Sequence, residues 1–173
     1  MKKKLLVIRS VSFQQLDKNL EAIETNFPVS NGSWEFHLLT HAHGVQRAKS
    51  YQAISRIIDY GSRKNFTVFH LPQCLKKKKE VYDGVMVPVT NKTAVGFLNV
   101  LVMALRIPSA SIYICNLTSR IWKISRKKIL LQALKSCIFS FLSLVFIIPF
   151  LVIFLLVLPL SFIIGRWRKK KGT

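Results

Sequence analysis

The chain has 173 residues, of which 50% are hydrophobic. It contains 27 lysines and arginines but only seven acidic residues, which gives a formal net charge of +20. This length predicts one domain with an appended segment rather than several domains. A charge of this size predicts an anionic partner, either nucleic acid or acidic lipid. A long apolar run lies beside the basic residues and no nucleic-acid motif is present, so lipid rather than nucleic acid is the predicted partner.

The first 61 residues read as strand, helix, strand and helix. The apolar run KLLVIRS at 4–10 predicts a buried first strand. The segment FQQLDKNLEAIETNF at 13–27 has apolar residues at helical spacing and is followed by Pro28, which predicts a helix ending there. SWEFHLLTHAHG at 33–44 predicts a second strand with its exit loop, and GVQRAKSYQAISRIIDYG at 44–61 predicts a second helix.

The alternation continues to residue 120. NFTVFHLP at 65–72 predicts a third strand, and KKKKEVYDGVMVPVTN at 76–91 predicts a basic loop with a fourth strand around Val85 to Val89. AVGFLNVLVMALRI at 94–107 predicts a helix and SASIYICN at 109–116 a fifth strand. We therefore expect an α/β domain at 1–120, with a Rossmann-like parallel sheet of about five strands and helices on both faces.

Residues 136–165 contain no charged side chain and predict a membrane segment. As one straight helix they would span about 45 Å, against a bilayer core of about 30 Å. Two alternatives follow: a tilted single crossing, or a re-entrant hairpin that bends at Pro149. Five basic residues flank each side, and the hairpin keeps both groups in the cytoplasm, where lysine and arginine are retained. The residues expected at the membrane are Trp122, Pro149, Pro159, Trp167, Lys169, Lys170 and Lys171.

The segments beside the apolar run are basic. Residues 121–135 mix apolar and basic side chains, which predicts an amphipathic helix in the membrane interface, and 166–173 form a basic tail. Both segments can attract acidic lipid, so a membrane containing acidic lipids is the expected partner. Under either alternative we expect the N-terminal domain on the cytoplasmic side of the membrane.

Polar side chains follow three of the predicted strands. Ligands of open α/β sheets bind beyond the carboxyl ends of the strands, so these side chains are candidates for ligand binding. Arg9 is the most pointed candidate for an anion, because it ends a buried strand. The ligand-binding candidates are Arg9, Ser10, Ser12, Thr40, Thr90, Asn91 and Thr93.

Two histidines in the loop after the second strand are candidates for chemistry. His41 and His43 are the candidates for a catalytic base or a phosphate contact, and a polar loop without chemistry is the alternative. Two ligands are too few for a metal site, so no metal is predicted. The first strand is not followed by a glycine-rich phosphate loop, so no nucleotide cofactor is predicted either.

The order of these pieces resembles a known family. The stretches KKLLVIR, a helix ending in NFP, WEFHLLTHAHGV and YDGVMVPVTN followed by GFLNVLVMAL are similar to the N-terminal half of GT-B glycosyltransferases. The nearest likeness is to the heptosyltransferases of glycosyltransferase family 9, over residues 3–118. The family has a Gly-Asp that carries its catalytic acid where this chain reads Ser12-Phe13-Gln14-Gln15. It also has a second domain for the nucleotide sugar, where this chain continues into the membrane run.

The resemblance implies a split enzyme. A soluble donor-binding subunit would hold the nucleotide sugar, and this chain would present a lipid-linked sugar acceptor, as in the two-subunit N-acetylglucosaminyltransferase of the dolichol pathway, whose anchor precedes the domain. Two alternatives stay open. One is a non-enzymatic membrane adaptor with a degenerate Rossmann-like domain, and the other is a small membrane enzyme that uses His41 or His43 as its base.

Overall fold

A computed structural model describes residues 2–29, 32–62, 65–76, 80–91, 94 and 96–171, with the backbone alone at 76, 152, 153, 156 and 158–171. The chain divides into two compact units, Met1–Gln132 and Ala133–Thr173. The first unit is an α/β domain, and the second is helical.

Six strands and five helices form in the described part of the chain. In chain order they are β1 (Lys3–Ile8), α1 (Phe13–Asn26), β2 (Trp34–Thr40), a 3-10 turn (Ala42–Gly44), α2 (Val45–Ala48), β3 (Ile54–Asp59), α3 (Gln73–Lys76), β4 (Tyr82–Pro88), α4 (Leu98–Leu105), β5 (Ser109–Cys115), β6 (Ile121–Ile124) and α5 (Arg126–Lys171).

The sheet is mixed and mostly parallel. Its strand order is β3-β2-β1-β4-β5-β6, and only β6 runs antiparallel to its neighbour. The central strand β1 pairs on one side with β2 and on the other with β4, so that Val7 lies between Leu38 and Met86. The chain builds the sheet outward from β1 in both directions, and the carboxyl ends of β1, β2 and β4 therefore meet at one edge. The predicted α/β class is confirmed.

Apolar cores cover both faces of this sheet. On one face, α1 and α2 pack over alternate residues of the central strands, including Leu5 and Val7. On the other face, α3 and α4 pack over the intervening residues, including Leu6 and Ile8. Central strands buried on both faces read as continuous apolar runs, which is why KLLVI identifies β1.

Helix α1 forms as its sequence predicts. Ser12 is its N-cap, and the Ser12 Oγ accepts a hydrogen bond from the backbone N–H of Gln15 at 3.4 Å. Leu16, Leu20 and Ile23 are buried against the sheet, and the helix ends before Phe27. Ser12 therefore fixes where the chain turns from β1 into the helix.

Two predicted elements between 44 and 72 are wrong. The second helix is confined to Val45–Ala48, and Ile54–Asp59 is instead the edge strand β3, whose β-branched isoleucines pair in parallel with β2. The predicted strand at 65–72 forms no ladder. Its residues are held by local contacts such as His70 Nε2 to the Tyr60 carbonyl oxygen at 2.8 Å, and Phe69 is 89% exposed.

The predicted amphipathic helix at 121–135 is also wrong at its start. Ile121–Ile124 forms β6, because these residues extend the sheet and place Ile124 in the core. Trp122, expected in the membrane interface, lies opposite Ile114 of β5 and packs half-buried against the core. The helix begins at Arg126, and Ile129 in its first turns is fully buried.

The C-terminal helix is the one described helix that is long and apolar enough to cross a membrane. The span Arg126–Leu151 contains an 18-residue window with a mean hydropathy of 2.1, and none of that window is buried. Large apolar side chains such as Phe146 and Phe150 are exposed along it, which indicates association with a membrane. The backbone is helical through Pro149 and Pro159 to Lys171, so the bend that the hairpin alternative needs at Pro149 is not present. The side chains of Pro159, Trp167, Lys169, Lys170 and Lys171 lie outside the described part.

We predict that Gly84→Ala destabilises the domain by about 1–3 kcal/mol, because it overpacks the core. A Cβ on Gly84 would lie 2.8 Å from Cδ1 of the buried Leu5 and 3.0 Å from Cε2 of Tyr113. The free energy of unfolding, measured with denaturant in mild detergent, tests this. The double variant Gly84→Ala with Leu5→Val removes the contacting methyl group and should recover part of the loss. Equal stability of Gly84→Ala and the unchanged chain would contradict the packing.

Candidate functional site

Arg9 follows β1 directly and lies at the carboxyl edge of the sheet. Its backbone N–H donates to the Leu39 carbonyl oxygen at 2.9 Å, which continues the ladder with β2. Its side chain Nε donates to Oγ1 of Thr40 at 2.7 Å, and Nη2 lies 3.1 Å from Nε2 of His43. The adjacent ends of β1 and β2 thus bring together three residues that the sequence singled out separately.

Two guanidinium groups make cation–π contacts with the ring of Phe13, the first residue of α1. The guanidinium of Arg9 lies 4.5 Å from the ring centroid and that of Arg47 lies 5.0 Å from it. Both are attracted to the ring by its negative faces. Phe13 also stacks on Tyr51 with the ring centroids 6.3 Å apart, which fixes the ring from a further side.

The two arginines differ in how they are neutralised. Arg47 is 56% exposed, and its Nη2 lies 3.5 Å from Oδ2 of Asp17. Asp17 also accepts a hydrogen bond from the Tyr51 hydroxyl, and burial together with that contact raises the pKa of Tyr51 to about 12. Among the described residues, no carboxylate pairs with Arg9. Burial lowers the pKa of Arg9, and Tyr51 offsets a smaller part, so its charge is the less well balanced of the two.

Gly44 allows the groups around Arg9 to approach one another. A Cβ at this position would lie 2.5 Å from Thr40 Oγ1, 3.1 Å from Phe13 Cζ and 3.3 Å from Arg9 Nε. Any larger residue would therefore displace a member of the group. We call Arg9, Phe13, Thr40, His43 and Gly44 the Arg9 cluster.

Hydrogen bonding assigns a tautomer to each loop histidine. Arginine has no acceptor, so the contact of Arg9 with Nε2 of His43 requires a lone pair there and places the proton of the neutral ring on Nδ1. His41 Nδ1 donates to the Ser62 carbonyl oxygen at 2.9 Å, which leaves the lone pair of the neutral ring on Nε2. The His41 ring stacks on Phe66 at 4.3 Å. Burial, and to a lesser degree Arg9 and His43, lower the pKa of His41, which keeps the ring neutral near pH 7.

The remaining ligand-binding candidates lie in the loops around the cluster, where Ser10 and Ser12 make structural hydrogen bonds. The hydroxyl of Ser10 donates to the Pro88 carbonyl oxygen and joins the ends of β1 and β4, while Ser12 caps α1. Beyond β4, Thr90 is exposed and Asn91 is half-buried. Thr93 lies outside the described residues.

Sequence reasoning missed two residues of this site, Phe13 and Arg47, which it assigns to predicted helices and not to the site. A usable signal exists for Arg47, which follows His43 by one helical turn in HGVQR and therefore returns to the same side. For Phe13 the signal is only spatial, because its partners Arg47 and Tyr51 lie 34 and 38 residues away.

The cluster is suited to hold an anion. It joins a half-buried guanidinium, a hydroxyl and a neutral imidazole, and groups of this kind are donors to carboxylates and phosphates. In the described part of the chain, no three His, Cys, Asp or Glu side chains group to hold a metal ion. The fold and this edge define a membrane-associated α/β protein with a cationic group at the ends of its central strands. A scan against protein-family models, a search of curated proteins and a search of solved structures each found no match to this chain.

We predict that Gly44→Ala destabilises the domain by about 1–3 kcal/mol, because Thr40 must move away from Arg9. Unfolding of full-length protein in detergent measures this. A double-mutant cycle with Thr40→Ala is the control, because removing the contacting hydroxyl should make the second substitution much less costly. Additive losses from the two substitutions would show that the steric contact is absent.

His41 should make stability depend on pH. Its pKa is lowered in the folded state, so its contribution is complete above the unfolded-state pKa of about 6.5 and is lost as the pH falls through the lower folded-state pKa. His41→Gln should remove this part of the dependence, with His43→Gln as the matched control. Denaturant unfolding from pH 7.5 to pH 4.5 measures it. Parallel stability curves for the unchanged chain and His41→Gln would contradict the burial of this ring.

Proposed function

We propose that this chain is the membrane-anchored, acceptor-binding half of a two-chain glycosyltransferase that acts on a lipid-linked or surface glycan precursor. In this proposal the α/β domain is Rossmann-like and resembles the N-terminal half of GT-B enzymes. A soluble subunit supplies the nucleotide sugar. The observation that carries the proposal is the Arg9 cluster at the carboxyl ends of β1 and β2, in a chain that also has a membrane-competent helix.

The sheet order supports this proposal. Strands β3, β2, β1, β4 and β5 are parallel neighbours in that order. The chain adds strands on one side of β1 up to β3 and then on the other side from β4, so the strand order reverses between β1 and β4. Open α/β sheets bind ligands at such a reversal, outside the carboxyl ends of the strands. The Arg9 cluster lies beside it, since Ser10 joins the end of β1 to Pro88 at the end of β4.

The charge distribution supports a membrane location with the domain on the cytoplasmic side. All seven acidic residues lie at or before Asp83, and the residues flanking the apolar run are basic. Basic flanks are retained in the cytoplasm and attract acidic lipid at about 1 kcal/mol per residue. An acceptor carried by a lipid would be met at this surface.

A second candidate is a non-enzymatic adaptor that uses the same anchor. The observation in its favour is that Ser12, Phe13, Gln14 and Gln15 serve as the cap and first turn of α1, where the resembled family carries its catalytic acid. Among the described residues, Asp17 is the acid that pairs with Arg47, and it also accepts a hydrogen bond from the Tyr51 hydroxyl. An adaptor would need the fold and the basic flanks but no acid.

Purification of tagged full-length chain in mild detergent, with the mass and composition of the complex measured, tests the two functions. The transferase proposal predicts a one-to-one complex with an α/β chain that binds a nucleotide sugar, and sugar transfer to a polyprenyl-linked acceptor only when both chains are present. Arg9→Gln should lower that transfer at least about tenfold, with Lys18→Gln, which removes one exposed charge from α1, as the matched control.

The adaptor gives a different result. The chain would then purify alone or with acidic lipid, and replacing Lys169, Lys170 and Lys171 by glutamate would abolish the preference of its binding for acidic over neutral vesicles. Substitutions of Arg9 and His41 would have no effect on that binding. This outcome would reject the transferase proposal.

A further inference from the structure

We propose that the guanidinium of Arg9 binds a phosphate group of the ligand at the carboxyl edge of the sheet. This inference states which chemical group the Arg9 cluster recognises. The role of the bound molecule in sugar transfer rests on the proposed function. The binding event itself requires no partner chain, so the two can fail separately.

The first step is the count of donors on Arg9. A guanidinium has five N–H groups. The Nε–H is used by Thr40 at 2.7 Å and one Nη2–H by His43 at 3.1 Å. Within the described residues, the other three N–H groups have no acceptor. The two hydrogen bonds that Arg9 donates to neutral acceptors hold the plane of the guanidinium, so the other three donors are oriented before a ligand arrives.

The second step is the missing counter-charge. Arg9 is half-buried, burial lowers its pKa, and no carboxylate among the described residues pairs with it. A partly desolvated cation is costly unless an anion compensates it. Two other arginines of the domain do have a carboxylate partner, Arg56 with Glu80 at 2.5 Å and Arg47 with Asp17 at 3.5 Å. The exposed Arg106 and Arg126 instead donate to backbone carbonyl oxygens.

The third step favours phosphate over carboxylate. The cationic character extends past Arg9 to Arg47 on the same Phe13 ring, while Asp17 beside Arg47 supplies one negative charge against the two. The first turn of α1, which starts at this ring, contains no acidic residue. The surplus of one positive charge favours an anion, and a phosphate offers three acceptor oxygens to the three unused N–H groups of Arg9, where a carboxylate offers two.

Two sources could carry this group: a soluble nucleotide or a lipid-linked phosphate. The chemistry at Arg9 is the same for both. The membrane-competent helix distinguishes the chain from a soluble nucleotide-binding protein, but the comparison of the two ligands has to be made directly.

Calorimetry of full-length protein in mild detergent, with inorganic pyrophosphate as the probe, tests the inference. We expect binding that weakens as sodium chloride is raised and is at least about tenfold weaker in Arg9→Gln. Arg9→Lys keeps the positive charge but loses the forked arrangement of N–H donors, so its affinity for pyrophosphate should lie between those of the unchanged chain and Arg9→Gln. Lys18→Gln, an equal loss of charge at an exposed position of α1, should bind like the unchanged chain.

A second measurement uses the unchanged sequence and so does not depend on the folding of a variant. Phenylglyoxal modifies accessible arginines, and mass spectrometry reads each site. Pyrophosphate should protect Arg9 relative to the exposed Arg120, whereas sodium chloride at equal ionic strength should not. Absence of pyrophosphate binding, equal binding by Arg9→Gln, or no protection of Arg9 would each overturn the inference.

Two further ligands separate the sources. Tighter Arg9-dependent binding of polyprenyl phosphate in nanodiscs than of uridine diphosphate would assign a lipid-linked phosphate, and the reverse order would assign a soluble nucleotide. Arg9-dependent pyrophosphate binding by a chain that forms no complex would sustain this inference and reject the split transferase. A two-chain complex that transfers sugar but does not bind pyrophosphate would sustain the split transferase and reject this inference.

Discussion

The arrangement at the carboxyl edge depends on one cation held at the end of the central strand. Arg9 leaves β1 with its backbone still bonded to β2, so its side chain starts from a rigid point. Thr40 and His43 then fix the guanidinium from the neighbouring strand end, and Phe13 supports its face. None of these groups carries a negative charge. The fold therefore positions Arg9 without neutralising it.

The opposite edge of the sheet shows how this domain treats cations that are purely structural. There Glu80 pairs with Arg56 and Lys4, and it accepts a hydrogen bond from Tyr82 at 3.1 Å. Burial raises the pKa of Glu80, but the Tyr82 hydrogen bond and nearby cations outweigh it, so the carboxylate stays ionised. His37, between Tyr82 and Glu35, completes a network with a partner for each group. Arg9, by contrast, is half-buried and is held by two neutral side chains and the face of Phe13, with no carboxylate partner among the described residues.

The sequence predicted most elements whose pattern is local. The buried run of β1 and the capped, amphipathic α1 needed no tertiary information. The isoleucines of β3 were read as part of a helix because an edge strand is recognised by the strand it pairs with, and that strand is β2. β6 was missed for the same reason, since its four residues are stabilised by β5. For the site, strand ends indicated Arg9, Thr40 and His43, but the close approach at Gly44 and the shared ring of Phe13 arise only once α1 and the loop after β2 pack together.

The membrane-competent helix lowers the affinity that the Arg9 cluster needs in order to bind a lipid-linked ligand. A single guanidinium with three available donors provides modest affinity for a phosphate free in solution, because ordering the ligand offsets much of the gain. A domain tethered to a bilayer meets lipid-borne groups at a high effective concentration, so the same contact is sufficient there. In the proposed function, the basic flanks would raise that concentration further for anionic lipids, and most of the attraction to the membrane would come from the anchor rather than from Arg9. A weak but pre-oriented arginine and a long apolar helix in one chain are therefore complementary features, and the pair favours a phosphate carried by lipid over one carried by a soluble nucleotide.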